Sequence, residues 1–285
     1  MTGATVLDAH GNAHAAEFAR MFDRQEDGAI RPADIPDCTV VMVRGLFGSW
    51  IPGHFRAPIE LLRARGWHAT VARTDPAGTL ERNRRLLLVQ VAALVEAGQR
   101  PVFLAHSKGG LETLLALAAE PRLAAATLGF AGVQVPRAGA PFLESLFHRR
   151  HHDSRTPAER LVEPLQAAAL TLAGARAACR ELEDAALAPS VSRVDGTTFP
   201  FPVLMAASRA ARPSGSLELR FARLGRIHPG QAHDGVFLER DQCWPAAAML
   251  HLDGIDHAQP SVGGLGFAHD RFWLALLQVV LGRLR

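Results

Sequence analysis

The stretch Pro101–Gly110, PVFLAHSKGG, decides how the rest of the chain is read. Its first part, PVFLAH, is a short continuous apolar run, the pattern of a strand buried on both faces of a parallel sheet. Its second part opens SKGGLETLLALAAE (107–120), an apolar-rich segment with helical spacing. Ser107 therefore stands where a buried strand turns sharply into a helix. Such a turn lifts a serine hydroxyl clear of the sheet and crowds its backbone. It requires small residues two before and two after, and here they are Ala105 and Gly109. Gly110 lets the helix pack close on the strand. The helix N-terminus also presents N–H groups without intrahelical partners to a developing negative charge. The plainer reading is a serine that caps a helix after a strand.

Outward from this point the same rhythm repeats. CTVVMVR (38–44) and WHATVAR (67–73) read as strands. FRAPIELLRARG (55–66) and LERNRRLLLVQVAALVEAG (80–98) read as helices closed by Gly66 and Gly98. AAATLGFAGV (124–133) predicts a fourth strand. Strand and helix in alternation predict an α/β fold with a doubly wound, mostly parallel sheet and right-handed crossovers. The rhythm breaks over 141–195, which is Arg/His-rich and helical in pattern, and is expected to be a cap or lid inserted over a site. FPFPVLMAASR restores a strand near 201–208, followed by a loop-rich stretch with Pro213, Gly215, Gly225, Pro229 and Gly230. AAAMLHLDG (246–254) is the last strand and FAHDRFWLALLQVVLGRLR (267–285) the closing helix. Residues 1–36 read as a polar N-terminal arm with one short helix over 12–22. The 285 residues are expected to form a single domain.

Composition narrows the classes. Acidic and basic residues are interspersed and the net charge is only +3, so no nucleic-acid partner is expected. No apolar run reaches the ~18–20 residues of a membrane-spanning helix. Asp8, His10 and His14 interrupt the N-terminal stretch where a signal peptide needs an apolar core, which predicts a soluble chain kept in the cytoplasm. Cys38, Cys179 and Cys243 are scattered, with neither the pattern of a disulfide framework nor the paired spacing of a zinc site. HRRHHD (148–153) reads as a solvated edge of the insertion rather than a metal cluster.

A serine hydroxyl is a poor nucleophile at neutral pH and needs a general base, itself oriented by a carboxylate. On a sheet of this kind the chain order is Ser, then Asp or Glu, then His. His257, in GIDHAQP, follows the last strand, where a loop presents it at the sheet's C-terminal edge. Asp234, in AHDGVFLERDQ, lies between the last two strands and precedes Gly235; Asp241 and Asp256 are its rivals. RGLFG (44–48), directly after the first core strand, supplies a candidate oxyanion loop, with the amide of Leu46, or of Phe47 as near alternative, joining that of Lys108. The same loop also reads as an ordinary strand-to-helix turn. Phe47, Trp50 and Phe142 are candidate walls of an acyl site, or simply core. AERLVEPLQAAALTLAGARAACRELEDAAL (158–187) is amphipathic and suits either a mobile lid or a fixed cap helix.

Together VVMVRGLFGSW, FLAHSKGG, VQVPRAGAPFLESL, HDGVF and GIDHAQP, spanning roughly 40–260, resemble the bacterial triacylglycerol lipases of the α/β-hydrolase type. In that family the loop motif normally begins His-Gly, where this chain has Arg44-Gly45. PRAGAPFLESL resembles the family's Pro-x-x-Gly-Ser-Pro segment leading into the lid. The resemblance implies Ser107 as nucleophile, Asp234 as acid, His257 as base, and Leu46 and Lys108 as oxyanion donors. It implies a small-molecule ester or lipid substrate, cleaved through an acyl-enzyme with no metal or organic cofactor. Some lipases of this type carry a structural calcium, whose ligands do not map onto this chain. A thioesterase, a polyester depolymerase, an acyltransferase and a non-catalytic binding protein of the same fold are the alternatives, because one scaffold hosts many functions.

Overall fold

Aliphatic runs build the centre of the molecule. Every residue of β2 (Cys38–Val43) and β5 (Gly129–Val133) is buried, and β4 (Arg100–His106) exposes only its first residue. With both faces covered by helices, such strands need no polar alternation. With β1 (Asp8–His10), β3 (His68–Val71), β6 (Val203–Arg209) and β7 (Ala248–Asp253) they form one seven-stranded sheet ordered β1-β7-β6-β5-β4-β2-β3. All neighbours are parallel except β1, which pairs antiparallel with β7. The computed structural model of the chain describes residues 8–10, 13–24, 30–141, 143, 155–213 and 218–284.

The strand order places the site. From β2 the chain steps outward to β3 and then returns to the other side of β2 as β4. The loops leaving β2 and β4 therefore diverge, opening a crevice at the C-terminal ends of these strands, where ligands bind in sheets of this kind. One face of the sheet packs on α1 (Ala13–Arg24), α2 (Arg56–Ala64) and α11 (His269–Gly282). Phe18 of α1 meets Phe272 of α11 edge-on, with ring centres 5.6 Å apart. The other face packs on α3 (Leu80–Glu96) and α4 (Lys108–Ala119). The short α5 (Pro121–Ala126) precedes β5, and the short α10 (Gln259–Val262) precedes α11.

Beyond β5 the described residues form α6 (Pro157–Leu172), α7 (Arg176–Arg180) and α8 (Asp184–Asp195). The α6 N-terminus is a capping box: Glu159 N donates to Thr156 Oγ1 at 3.3 Å and Thr156 N to Glu159 Oε2 at 2.8 Å, with Pro157 in the first turn. A buried charge cluster fastens α6 to α9 (Glu218–Ile227). Arg223, 1 % exposed, stands 3.8 Å from Glu159 and 3.5 Å from Glu163; Arg155 pairs with Glu163 at 2.5 Å, and Arg226 with Glu159.

Three differences from the sequence reading have physical causes. The expected strand over 124–133 starts only at Gly129, because Ala124–Ala126 continue a helix begun by Pro121. The stretch read as loop contains α9, whose buried face carries Arg223 beside Leu224 instead of an apolar stripe. The N-terminal arm supplies an edge strand as well as a helix. HRRHHD (148–153) lies outside the described residues. Among the described residues no helix is long and apolar enough to cross a membrane. The cysteines are unbridged, and burial pushes the Cys38 thiol up to about 12 and that of Cys179 to about 11.

Candidate active site

Ser107 joins β4 to α4 with φ 56° and ψ −135°, a left-handed conformation that non-glycine residues rarely hold. Contacts on every side keep it there. Its N–H donates to Val133 O at 2.8 Å, tying the turn to β5. A Cβ on Gly109 would lie 2.2 Å from Arg44 O, so only glycine lets α4 pass the end of β2. A Cβ on Gly45 would lie 2.8 Å from Ser107 Cβ, which places the RGLFG loop directly against the serine. Ala105, the small residue before the turn, sits in register between Val43 of β2 and Gly132 of β5.

Residues far apart in sequence converge on the hydroxyl. Ser107 Oγ is 3.1 Å from His257 Nε2, and His257 Nδ1 is 2.8 Å from Asp234 Oδ2. Asp234 is fully buried, and its Oδ1 accepts the amides of Val236 and Phe237 at 2.8 Å each. Gly235, at φ 98°, makes the turn that aims those amides back. The backbone reinforces the pair, His257 N donating to Asp234 O at 2.9 Å. The rival Asp256 turns instead to its own loop, its Oδ1 accepting from Ala258 N and Gln259 N at 2.9 Å each. Asp241 faces Arg240 at 3.5 Å.

A polar network that the sequence reading did not find braces the histidine loop from beneath. His106 Nε2 donates to Gln134 Oε1 at 2.9 Å and to His257 O at 3.1 Å, and its Nδ1 accepts from Ser261 Oγ at 3.2 Å. Gln134 Nε2 donates to Asp256 O at 3.0 Å and Ser208 Oγ at 2.6 Å. Burial, then the nearby His257 and His54, push the His106 imidazole well below its ordinary range, so it is neutral, as this hydrogen-bond pattern requires. The available signal was a pair of polar residues, His106 and Gln134, at the ends of otherwise apolar strands.

The RGLFG loop is anchored at Phe47, whose N–H donates to Pro76 O at 2.8 Å. That amide is committed, whereas Leu46 borders the cavity. Lys108 is the first residue of α4, so its N–H has no partner within the helix. Arg44 reaches across the loop to donate to His54 O at 3.3 Å.

Ser107, His257 and Gly45 border a cavity of about 490 Å³ walled largely by Leu46, Phe47, Leu143, Leu170, Val236 and Phe237; Lys108 and Arg44 do not line it. Trp50 does not line it. It stacks on Phe47 with ring centres 5.4 Å apart, stands 48 % exposed, and borders a separate hollow beside Asp75 and Arg82. Phe47 is left-handed, φ 62°, and leads into the short 3-10 turn Gly48–Trp50. Phe142 lies outside the described residues. Among the described residues no cluster of three His, Cys, Asp or Glu side chains is placed to hold a metal ion.

No protein-family model matches the chain. Over 110 residues it is 36% identical to Esterase PIR7B of Oryza sativa subsp. japonica, a match spanning 35% of this chain and 40% of the rice protein. The metagenomic carboxyl esterase MGS0156 superposes with a TM-score of 0.69 at 20% identity, covering 95% of this chain and 91% of that one. Bacillus licheniformis lipase BlEst2, in its mature form, superposes with a TM-score of 0.62 at 15% identity, covering 96% and 99%. A mostly parallel sheet wrapped by helices on both faces, shared along nearly the whole length of two such enzymes, identifies this chain as having the α/β-hydrolase fold of esterases and lipases.

Proposed function

We propose that the chain hydrolyses carboxylic esters as a serine esterase or lipase, with Ser107 as nucleophile, His257 as base and Asp234 as its orienting acid. The observation that carries this reading is the hydrogen-bonded succession Ser107–His257–Asp234 at the wall of a largely apolar cavity. The likeness to esterases and lipases supports it.

In this mechanism His257 Nε2 takes the hydroxyl proton as Ser107 Oγ bonds to the ester carbonyl carbon. The carbonyl oxygen becomes an oxyanion and accepts from the Leu46 and Lys108 amides; losing one such donor typically costs about 10²–10³ in rate. Collapse expels the alcohol, which leaves with the proton from His257. Water then gives a proton to His257 and attacks the acyl carbon, and Ser107 departs with that proton. Asp234 stays ionised, fixing the imidazole tautomer and stabilising the imidazolium. On this reading the helices within 155–195 are a cap on a single catalytic domain, because Gln166, Ala169, Leu170 and Leu182 wall the cavity. The apolar wall suits the acyl chain of a small ester or a lipid.

The test is a panel of p-nitrophenyl esters of rising acyl length with the wild type and Ser107→Ala. Ser107→Ala is expected to lose about 10⁵–10⁶ in kcat, and Asp234→Asn about 10⁴. A fluorophosphonate probe is expected to label the wild type and not Ser107→Ala. Full esterase activity in Ser107→Ala would overturn the proposal.

A further inference from the structure

Lys108 is only 1 % exposed, which is rare for a lysine. Its Nζ donates to Gly78 O at 2.8 Å and pairs with Glu112, one helical turn on and equally buried. Glu112 Oε1 also accepts from Asn83 Nδ2 at 2.8 Å. Asn83 clamps the loop 75–79: its Oδ1 accepts from Asp75 N at 2.8 Å and its Nδ2 donates to Asp75 O at 3.0 Å. A Cβ on Gly78 would lie 2.8 Å from both Asn83 Oδ1 and Asp75 Cβ, so the loop is seated without spare room. The same loop supplies Pro76 O, which holds the Phe47 amide. One five-residue loop thus grips the segment carrying Leu46 on one side and the residue after Ser107 on the other.

Stability does not account for this arrangement. Taking an ammonium and a carboxylate out of water is costly, and replacing such a pair by apolar residues is often neutral or stabilising. Burial raises the Glu112 carboxyl above its ordinary range even against the pull of Lys108 and Asn83. What the pair supplies, and Met with Leu could not, is direction: fixed hydrogen bonds from α4 to two separate elements, the loop 75–79 and α3. The two candidate oxyanion amides belong to different elements, the β2 loop and α4. A misplacement of about 1 Å at such a site costs on the order of 10² in rate.

We propose that the Lys108 side chain, with Glu112 and Asn83, sets the spacing of the Leu46 and Lys108 amides through the loop 75–79. Lys108 then has two parts: a backbone amide that meets the oxyanion, and a side chain that is a positioning group acting through a neighbour. The inference rests on the Ser107 hydrolase reading.

The test compares wild type, Lys108→Met/Glu112→Leu and Asn83→Ala by kcat and KM on p-nitrophenyl butyrate, the rate of fluorophosphonate labelling, and melting temperature. Labelling serves because its transition state also develops charge on oxygen at the same amides. The double variant is expected to melt within a few degrees of wild type or above it. Its kcat is expected to fall about 10- to 100-fold, with KM changed less than about threefold and labelling slowed in parallel. Asn83→Ala, which removes Asn83's own ties to the loop and to Glu112 but leaves the ion pair and the Lys108–Gly78 bond, is expected to lose a smaller factor in kcat, and it carries the test if the double variant does not fold. Variants that melt like wild type and keep kcat and labelling within twofold overturn the inference. So does a loss of activity that tracks a lower melting temperature or a raised KM. A wild type that neither cleaves esters nor reacts with the probe overturns the hydrolase reading and this inference together, whereas an active wild type with unaffected variants overturns this inference alone.

Discussion

The sheet beneath the cavity and the helix α6 beside it are held by opposite kinds of force. Beneath Ser107, β2, β4 and β5 bury Val, Leu, Phe and Ala on both faces, and their neighbours in register are fixed by backbone ladders. Beside the cavity, α6 exposes Leu161, Leu165 and Leu172 to solvent and joins α9 through Glu159, Glu163 and Arg223. Apolar burial is roughly additive over many contacts and tolerates the loss of one. A buried ion cluster depends on each member, because removing one leaves its partner desolvated and uncompensated. The sheet beneath Ser107 is therefore robust, and the helix that walls the cavity hangs on few groups.

The comparison is broken most directly at Arg223. Arg223→Met leaves Glu159 and Glu163 buried without it, at an expected cost of about 3–5 kcal/mol. The loss is expected to be local: hydrogen exchange should accelerate in α6 and α9 while the amides of β4 and β5 keep their protection. Equal loss of protection in the sheet would show that the two regions share one cooperative unit.

Gly109→Ala tests the sheet side. Its new Cβ meets Arg44 O at 2.2 Å, Arg44 C at 2.8 Å and Val43 O at 3.0 Å, all backbone atoms that cannot swing aside. Urea unfolding should report a global loss of about 1–3 kcal/mol. An unchanged midpoint would mean that α4 slides freely past β2.

Acid sharpens the contrast with the smallest effect. Burial, then Arg44, His257 and His269, lower His54 to about 3 from an ordinary 6.5, and His106 is lowered in the same direction. Both are neutral when folded, so below pH 6.5 the unfolded chain binds more protons and stability falls as pH falls. Each such histidine contributes up to about 1.4 kcal/mol per pH unit. Glu159 is lowered from 4.5, so its share is present above 4.5 and is lost only as pH falls further. The sheet side should therefore weaken first, below pH 6.5, and the α6 cluster later. Glu112, raised by burial, opposes the histidine slope, so the useful comparison is His54→Phe with wild type. Removing His54 should flatten the fall of stability between pH 6 and pH 4 by about 1.4 kcal/mol per unit. Parallel curves would reject the neutral buried imidazole.

The same contrast explains what could be read from the residues alone. β2, β4 and β5 were legible because a strand buried on both faces is an unbroken apolar run. The turn at Ser107 was legible because Gly109 and Ala105 answer to contacts with neighbouring strands that any such turn must make. Helix α9 was hidden because its inward face is Arg223 beside Leu224, which no hydrophobic period reports. The strand Asp8–His10 is too short and too polar to register. Which acid faces His257 is a three-dimensional fact: Asp234 and Asp256 are both fully buried, and only their hydrogen-bond partners separate them. Trp50 reads as a wall or core residue from its type alone, whereas its exposure and its place outside the cavity exist only in three dimensions.

The small antiparallel strand at the sheet's edge ties together the order in which the chain is made. Asp8, Ala9 and His10 pair with Asp253, Leu252 and His251, so the strand of this sheet that is made first waits for the one made last. The loop bearing His257 begins only after that pairing partner has emerged. A nascent chain stopped before residue 248 would hold Ser107 without the His257 imidazole that hydrogen-bonds it, and β6 without its β7 partner. Completion of the sheet and arrival of the His257 imidazole beside Ser107 therefore fall, by topology, in the same stretch of synthesis.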